Sequence, residues 1–266
     1  YRLRADRPVD RLYLKASVIR TTHTSYEVES FVNEKLRGQF RTCYCSEKKL
    51  RDFLEDPNQD LKKYGGGPPI KDDQTTTVSI VPNLVEDCPV VIKRYNTKNA
   101  WHALRRTVRR SRAENCWMHA MALGDLGIAV APPVAFIQEY LGTRLKGRSW
   151  YLSEFVAGPS WLDHLRDSSD HTFQEHVVEQ IIDTLQLLWR HHITHGDMKG
   201  SNILLTKNQI VVLDLDSTKQ HRSAATARRR IGKDVERFLR NLKEDHRALY
   251  ELAQKKIGEA DFSALQ

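Results

Sequence analysis

The clearest apolar periodicity in the chain runs from Phe173 to His192. Phe173, Val177, Ile181, Leu185, Leu188 and Trp189 recur at helical spacing and mark one face of a long amphipathic helix. A shorter helix is expected from Ser46 to Glu55. Ser46 is its expected cap, Leu50, Phe53 and Leu54 share a face, and Asp56, Pro57 and Asn58 end it. Before the long helix, strand patterns dominate. The β-branched run Thr75 to Val81, closed by Pro82 and Asn83, reads as a strand, and so does Pro89 to Tyr95. Leu12 to Ile19 reads as an earlier one. A helical stretch from about Asn99 to Leu123, broken near Ser111 and stopped by Gly124 and Gly127, separates these from two further strands. Those strands, Val134 to Ile137 and Trp150 to Phe155, flank a basic turn. After the long helix, Ile203 to Leu205 and Ile210 to Leu213 form a hairpin turned at Lys207 and Asn208. Lys233 to Leu242 and His246 to Lys255 close the chain as helices.

This order predicts an α+β, two-lobed layout: a β-rich first part with one main helix, then a mainly helical second part with a hairpin. Gly158 and Pro159 mark the change of character. The expected division is an N-terminal lobe over 1–153 and a C-terminal lobe over 154–266.

A chain of 266 residues, 40% hydrophobic and 29% charged, is sized for one bilobal domain with a core of its own. It has no apolar run of about 18 residues, so no transmembrane helix is expected. Its first residues carry no stretch of signal-peptide type. The net charge of +8, from 42 basic and 34 acidic residues, favours anionic partners or simply keeps the surface soluble. The four cysteines offer one close pair, Cys43 and Cys45, and no second pair for a zinc site, so free thiols in a reducing compartment are expected.

The chemistry concentrates in His195 to Asn202 and in the run Ile210 to Asp216. An Asp, an Asn five residues later, and a second Asp after an apolar strand are what a phosphoryl transferase needs. Asp197 would orient an acceptor hydroxyl and take its proton. Asn202 and Asp214 would hold Mg2+ on the phosphates of ATP, with Asp216 as a rival for the second position. Lys199 would neutralise the migrating phosphoryl group. Lys93, closing an apolar strand, suits the α- and β-phosphates and needs a carboxylate partner, for which Glu114 is placed in the next helix. Each has a plainer reading: an Asp in a turn, or a Lys or Glu on a solvated face. The three-residue pattern around Asp197 argues against it. His195 is expected to support the loop. His191, His192 and His195 lack an acidic or thiol partner at metal-ligand spacing.

Two basic stretches remain. Arg105, Arg109 and Arg112 share one helical face, and Arg106 and Arg110 another. They could meet acceptor phosphates or acidic headgroups, each worth roughly 1 kcal/mol near such a surface, or water alone. Arg228, Arg229 and Arg230 follow Asp214, where an acceptor-facing segment is expected.

With these residues assembled, the chain resembles the protein-kinase-like superfamily, and within it the lipopolysaccharide core kinases of the heptose and Kdo type. The signature H-G-D-x-K-x-x-N at His195 to Asn202, with D-L-D at Asp214 to Asp216, differs from that of eukaryotic protein kinases and is similar to that group. The stretches Ser111 to Trp117, Leu126 to Val134 and Leu50 to Lys71 are similar too. The resemblance implies a bilobal protein-kinase-like fold and a kinase using ATP and Mg2+. It implies a lipopolysaccharide inner-core acceptor, heptose or Kdo on lipid A-core, and peripheral attachment to the anionic cytoplasmic face of the inner membrane. No nucleic-acid partner is expected. It assigns Lys93, Glu114, Asp197, Asn202 and Asp214 the roles above, makes Glu154, Phe155 and Val156 the hinge whose backbone binds adenine, and makes Asp234 the residue that steadies the catalytic loop. The phosphate-covering loop falls at the turn Asp72 to Thr75, which has no glycine, while Gly65, Gly66 and Gly67 lie upstream. The absence of an A-P-E element after Asp214 argues against a protein substrate held in the eukaryotic manner. Other readings are a small-molecule or antibiotic phosphotransferase, which usually has an acidic acceptor cleft, an atypical protein kinase, and a nucleotide-binding pseudokinase scaffold.

Overall fold

The structure, a computed structural model, describes residues 27–259 except 45, 97–109, 143–144, 207–208 and 244–245. The strand expected over Leu12 to Ile19, most of the helical stretch before Ser111 with Arg105, Arg106 and Arg109, and the turn at Lys207 and Asn208 lie outside the described residues. The chain divides into two compact units. Among the described residues, the first comprises 27–125 and 131–156, and the second 126–130 and 157–259.

The first unit is built on an antiparallel sheet. Its strands, among the described residues, are β1 (Val28–Val32), β2 (Leu36–Arg41), β3 (Lys71–Asp72), β4 (Thr76–Val85), β5 (Cys88–Tyr95), β6 (Pro133–Leu141) and β7 (Leu145–Glu154). They lie in the order β1-β2-β6-β7-β5-β4-β3. β7 is paired on both sides, Lys93 with Tyr151 and Ile137 with Trp150. Its alternate residues Trp150 and Leu152 are buried and pack in one core with Val90, Ile92 and Ile137. Helix α1 (Lys48–Glu55) adds Leu50, Phe53 and Leu54 to that core. Helix α2 (Arg112–Asp125) sets Trp117 against Phe136, ring centres 5.8 Å apart.

Three local expectations change. Glu47, not Ser46, precedes α1, and its side chain makes no capping bond. β4 does not close at Pro82 and Asn83. The ladder to β5 shifts between Val81 and Val85, and proline is tolerated at such an irregularity because no ladder N–H is needed there. The chain turns instead at Asp87, which takes a φ of 53°. Gly124 lies within α2, and the left-handed Gly127 comes after its end.

The second unit contains α3 (Trp161–Asp167), α4 (His171–Arg190), β8 (Ile193–Thr194), β9 (Ile203–Leu205), β10 (Ile210–Val212), β11 (Lys219–Gln220), α5 (Ala224–Arg240) and α6 (Arg247–Gly258). α4 starts where Asp170 accepts the Phe173 N–H at 3.1 Å. Val177, Ile181, Leu185, Leu188 and Trp189 are buried along it, as the periodicity predicts. Phe173 is not: it is 37% exposed in the first turn, against the edge of His164. β9 and β10 form the expected hairpin, Val212 opposite Ile203. α5 begins at Ala224 rather than Lys233, with Ser223 as its cap, so Arg228, Arg229 and Arg230 are helical. Cys43, Cys88 and Cys116 are not in disulfides.

Trp189 is 1% exposed. Trp189→Ala should therefore cost about 3–5 kcal/mol, while Phe173→Ala should cost less than about 1 kcal/mol. Urea unfolding midpoints of the two variants test the contrast.

Candidate active site

The segment from His195 to Asn202 is held from three sides within the second unit. From α5, the buried Asp234 accepts the His195 N–H at 2.7 Å and the Gly196 N–H at 2.9 Å, one on each oxygen. Burial pushes the Asp234 carboxyl above its ordinary value, opposed by those two amides. The bend needs glycine at 196. Its φ is 80°, and a Cβ there would lie 2.7 Å from the Ser217 carbonyl oxygen.

The second tie is the His195 ring, which is buried. Nε2 donates to the Leu213 carbonyl at 2.8 Å, and Nδ1 accepts the Asp197 N–H at 3.3 Å. Both ring nitrogens are thereby used in one neutral tautomer. This is the supporting role expected of His195. The third tie is Asn241, at the end of α5. Its Oδ1 accepts the Gly200 N–H at 3.2 Å and its Nδ2 donates to the Met198 carbonyl at 3.0 Å, gripping the loop on both sides of Lys199. Gly200 is packed so closely that a Cβ would sit 1.9 Å from Leu162 Cδ1 of α3.

These ties present a small charged cluster. Asp197 Oδ2 lies 3.0 Å from Lys199 Nζ and 3.4 Å from Asn202 Nδ2. Asn202 Nδ2 also donates to the Asp197 carbonyl at 2.8 Å. The Asn202 carbonyl in turn accepts the Leu213 N–H at 2.8 Å, which extends the β9–β10 ladder by one rung and sets Asn202 beside the residue before Asp214. Asp214 is exposed and left-handed, with φ 55° and ψ 63°, a conformation costing on the order of 1 kcal/mol for a residue with a Cβ. Asp216 is half-buried in the short helical turn that follows. With its NH2 aimed at Asp197, Asn202 has its amide oxygen for a cation, and Asp214 has a carboxylate. Among the described residues no group of three or more His, Cys, Asp or Glu could hold a metal. One amide oxygen and one carboxylate fit Mg2+, which takes its other ligands from phosphates and water.

The remaining candidates lie in the first unit. Lys93 is on β5, its Nζ 5.6 Å from the centre of the Tyr95 ring. Ser111 caps α2, where a break is expected, by accepting the Glu114 N–H at 3.2 Å. The Glu114 carboxylate meets Arg110 Nε and Lys146 Nζ, each at 3.7 Å. Glu154 ends β7, and its carboxylate accepts the Tyr44 hydroxyl. Burial and this bond push the Tyr44 phenol far above its usual range. The Glu154 and Phe155 N–H groups donate to the Pro132 and Pro89 carbonyls at 2.9 and 2.7 Å. Val156 follows, half-buried.

Gly65, with φ 77°, ends the short helical turn Leu61–Tyr64, so this glycine has a local structural task. The glycine-free turn between β3 and β4 is held by its own aspartate. Asp73 Oδ1 accepts from the Thr75 N–H, the Thr75 hydroxyl and the Thr76 N–H at 2.7 to 2.8 Å, which holds its carboxyl well below the usual carboxylate range.

Sequence reasoning missed Asn241, Leu162 and Tyr44. An Asn at a helix end has many ordinary explanations, and Tyr44 meets a carboxylate 110 positions away, so neither carried a local signal.

A family model described as "Lipopolysaccharide kinase (Kdo/WaaP) family" matches residues 76–266. Among solved structures, the chain is similar to "WaaP in complex with acyl carrier protein" at 16% identity, over 80% of this chain and 97% of that one, with a TM-score of 0.48.

Asp234→Asn turns an NH2 toward one of the two loop amides. It should cost about 1–3 kcal/mol of stability at neutral pH, read from urea midpoints. The raised carboxyl also predicts a sign. As pH rises from the unfolded carboxylate range through the folded value, the buried carboxyl must ionise, so wild type loses stability relative to Asp234→Asn. The slope is at most about 1.4 kcal/mol per pH unit. A gap between the two proteins that is constant across that window would refute the burial effect.

Proposed function

Because the chain belongs to the lipopolysaccharide kinase (Kdo/WaaP) family, and is thus a phosphotransferase, we propose that it transfers the γ-phosphoryl group of ATP, with Mg2+, to a hydroxyl of heptose or Kdo in the lipopolysaccharide inner core. The observation that carries this reading is the Asp197, Lys199 and Asn202 cluster, joined through the Asn202–Leu213 rung to Asp214.

In this reading the acceptor hydroxyl sits against Asp197. Its oxygen forms the new bond to the γ-phosphorus, the bond from that phosphorus to the β,γ-bridging oxygen breaks, ADP leaves, and the hydroxyl proton passes to Asp197. Lys199, 3.0 Å from Asp197, offsets charge on the migrating group. Asn202 Oδ1 and the Asp214 carboxylate would hold Mg2+, which when bound neutralises the phosphate oxygens. Asp214 follows the apolar strand β10 as an exposed residue with a left-handed backbone. Lys93, with Glu114 as its helix partner, serves the α- and β-phosphates, and the backbone of Glu154 and Val156 serves adenine. The first unit acts as the N-terminal lobe of a bilobal protein-kinase-like fold and the second as the catalytic lobe. Chemistry of this kind rests on positioning and charge neutralisation, which suits a loop tied as firmly as this one.

Among the described residues no helix is long and apolar enough to cross a membrane. A basic chain of net charge +8 fits peripheral attachment at the anionic cytoplasmic face of the inner membrane, where lipid A-core acceptors are presented.

Labelled phosphate from ATP, offered to lipopolysaccharides truncated at successive core sugars, tests the proposal. Transfer should begin at one truncation. Asp197→Asn should lower it by about 10²–10⁴-fold, Asp214→Asn should abolish it at low Mg2+, and Lys199→Ala should lower kcat with little change in the KM for ATP. Wild-type protein that binds ATP yet labels none of the acceptors would sink the proposal.

A further inference from the structure

Helix α5 has two unlike sides. Ala227, Ile231, Asp234 and Phe238 are buried, and from this side Asp234 holds the His195–Gly196 bend. The exposed residues include Arg228, Arg229, Arg230, Lys233, Arg237 and Arg240, against one exposed carboxylate, Glu236. Glu236 lies 3.7 Å from Arg240.

The cations are not spread evenly around the helix. At 3.6 residues per turn, Arg230, Lys233 and Arg237 fall toward the same flank as Asn241, Arg229 and Arg240 point outward, and Arg228 falls on the other flank. Asn241 is the residue that grips the loop at Met198 and Gly200, on either side of Lys199. The row Arg230, Lys233, Arg237 therefore runs along α5 toward the Asp197 loop, over about 16 Å from Arg230 to Asn241 by helical rise. The field of the row reaches its neighbours: Arg230, after burial, lowers His221, and Arg237 acts to lower Asp234.

We infer that the Arg230, Lys233 and Arg237 flank of α5 is the docking surface for anionic groups of the acceptor, its phosphates or sugar carboxylates, at a distance from the hydroxyl that is phosphorylated. This rests on the reading of the chain as an inner-core sugar kinase and names how that site recognises its acceptor. Charge complementarity identifies the occupant. The position of the row, on the loop side of the helix, favours the acceptor over a lipid surface. Guanidinium groups suit this task because they bind phosphate and carboxylate in a two-pronged manner. None of the three cations touches Asp197, so they act as specificity-determining residues.

The test uses the whole chain and the truncated lipopolysaccharide that accepts label, dispersed in neutral detergent so that no anionic bilayer is present. In the triple variant Arg230→Gln, Lys233→Gln, Arg237→Gln, the KM for acceptor should rise at least tenfold, with kcat and the KM for ATP within about twofold of wild type. Chemically dephosphorylated acceptor should narrow the gap between the two proteins, and Arg230→Lys with Arg237→Lys should restore most of the KM. An unchanged urea midpoint separates the effect from misfolding. An unchanged acceptor KM while wild type remains active overturns the docking surface and leaves the proposed function standing. Loss of sedimentation with phosphatidylglycerol vesicles, at unchanged KM in detergent, also overturns it and assigns the flank to the membrane. Wild type that labels no lipopolysaccharide overturns both.

Discussion

One buried carboxylate governs the second unit. Asp234 receives two consecutive main-chain N–H groups, and the direction of the loop after β8 follows from that contact. Backbone amides buried without acceptors are costly, so the loop and the helix fix each other. The rest builds on it in a chain. The bend at Gly196 brings the His195 ring under Leu213, the ring fixes the Asp197 amide, and Asp197 then lies between Lys199 and Asn202. Removing the Asp234 carboxylate or the His195 ring leaves buried polar atoms without their partners.

The same economy recurs at the hairpin. β9 and β10 are only three residues each, too short to be stable alone. They persist because Ile203, Val211 and Val212 are buried and because β10 also meets 126–130, where the Val212 N–H donates to Ala129 at 2.9 Å. A strand anchored on both sides can tolerate the left-handed Asp214 at its end. Strain of this kind survives only where the surroundings over-determine the backbone.

The sequence made some of this readable and hid the rest for physical reasons. Asp197, Lys199 and Asn202 are close in the chain, and a hairpin whose strands were evident in Ile203 to Leu205 and Ile210 to Leu213 carries Asn202 to Asp214. Local contacts of this sort follow from spacing. The α4 helix was equally clear, except that Phe173 sits in its first turn, beyond the reach of the core. α5 was harder. Its first turns bury only Ala227 and Ile231 among the exposed Arg228, Arg229 and Arg230, too thin an apolar stripe to mark a helix before Lys233. β4 seemed to stop at Pro82 because a proline normally ends a ladder, but here the ladder slips at that point. The grip of Asn241 and the Tyr44 bond to Glu154 join residues distant in sequence, and nothing in their neighbourhoods announces them.

The core of the first unit reaches well upstream of the family-matched span. That span begins at residue 76, yet the core draws on Leu36, Phe40, Tyr44, Leu50, Phe53, Leu54 and Tyr64. β2 covers the open side of β6, and α1 closes the apolar face beneath. A fragment cut at residue 76 would leave β6 with an unpaired edge, and Ile137 on β6 and Trp150 on β7 with part of their cover gone. Such an edge recruits strands from other molecules. The practical limit of the first unit is set by its sheet, and lies well before the first residue that the family model matches.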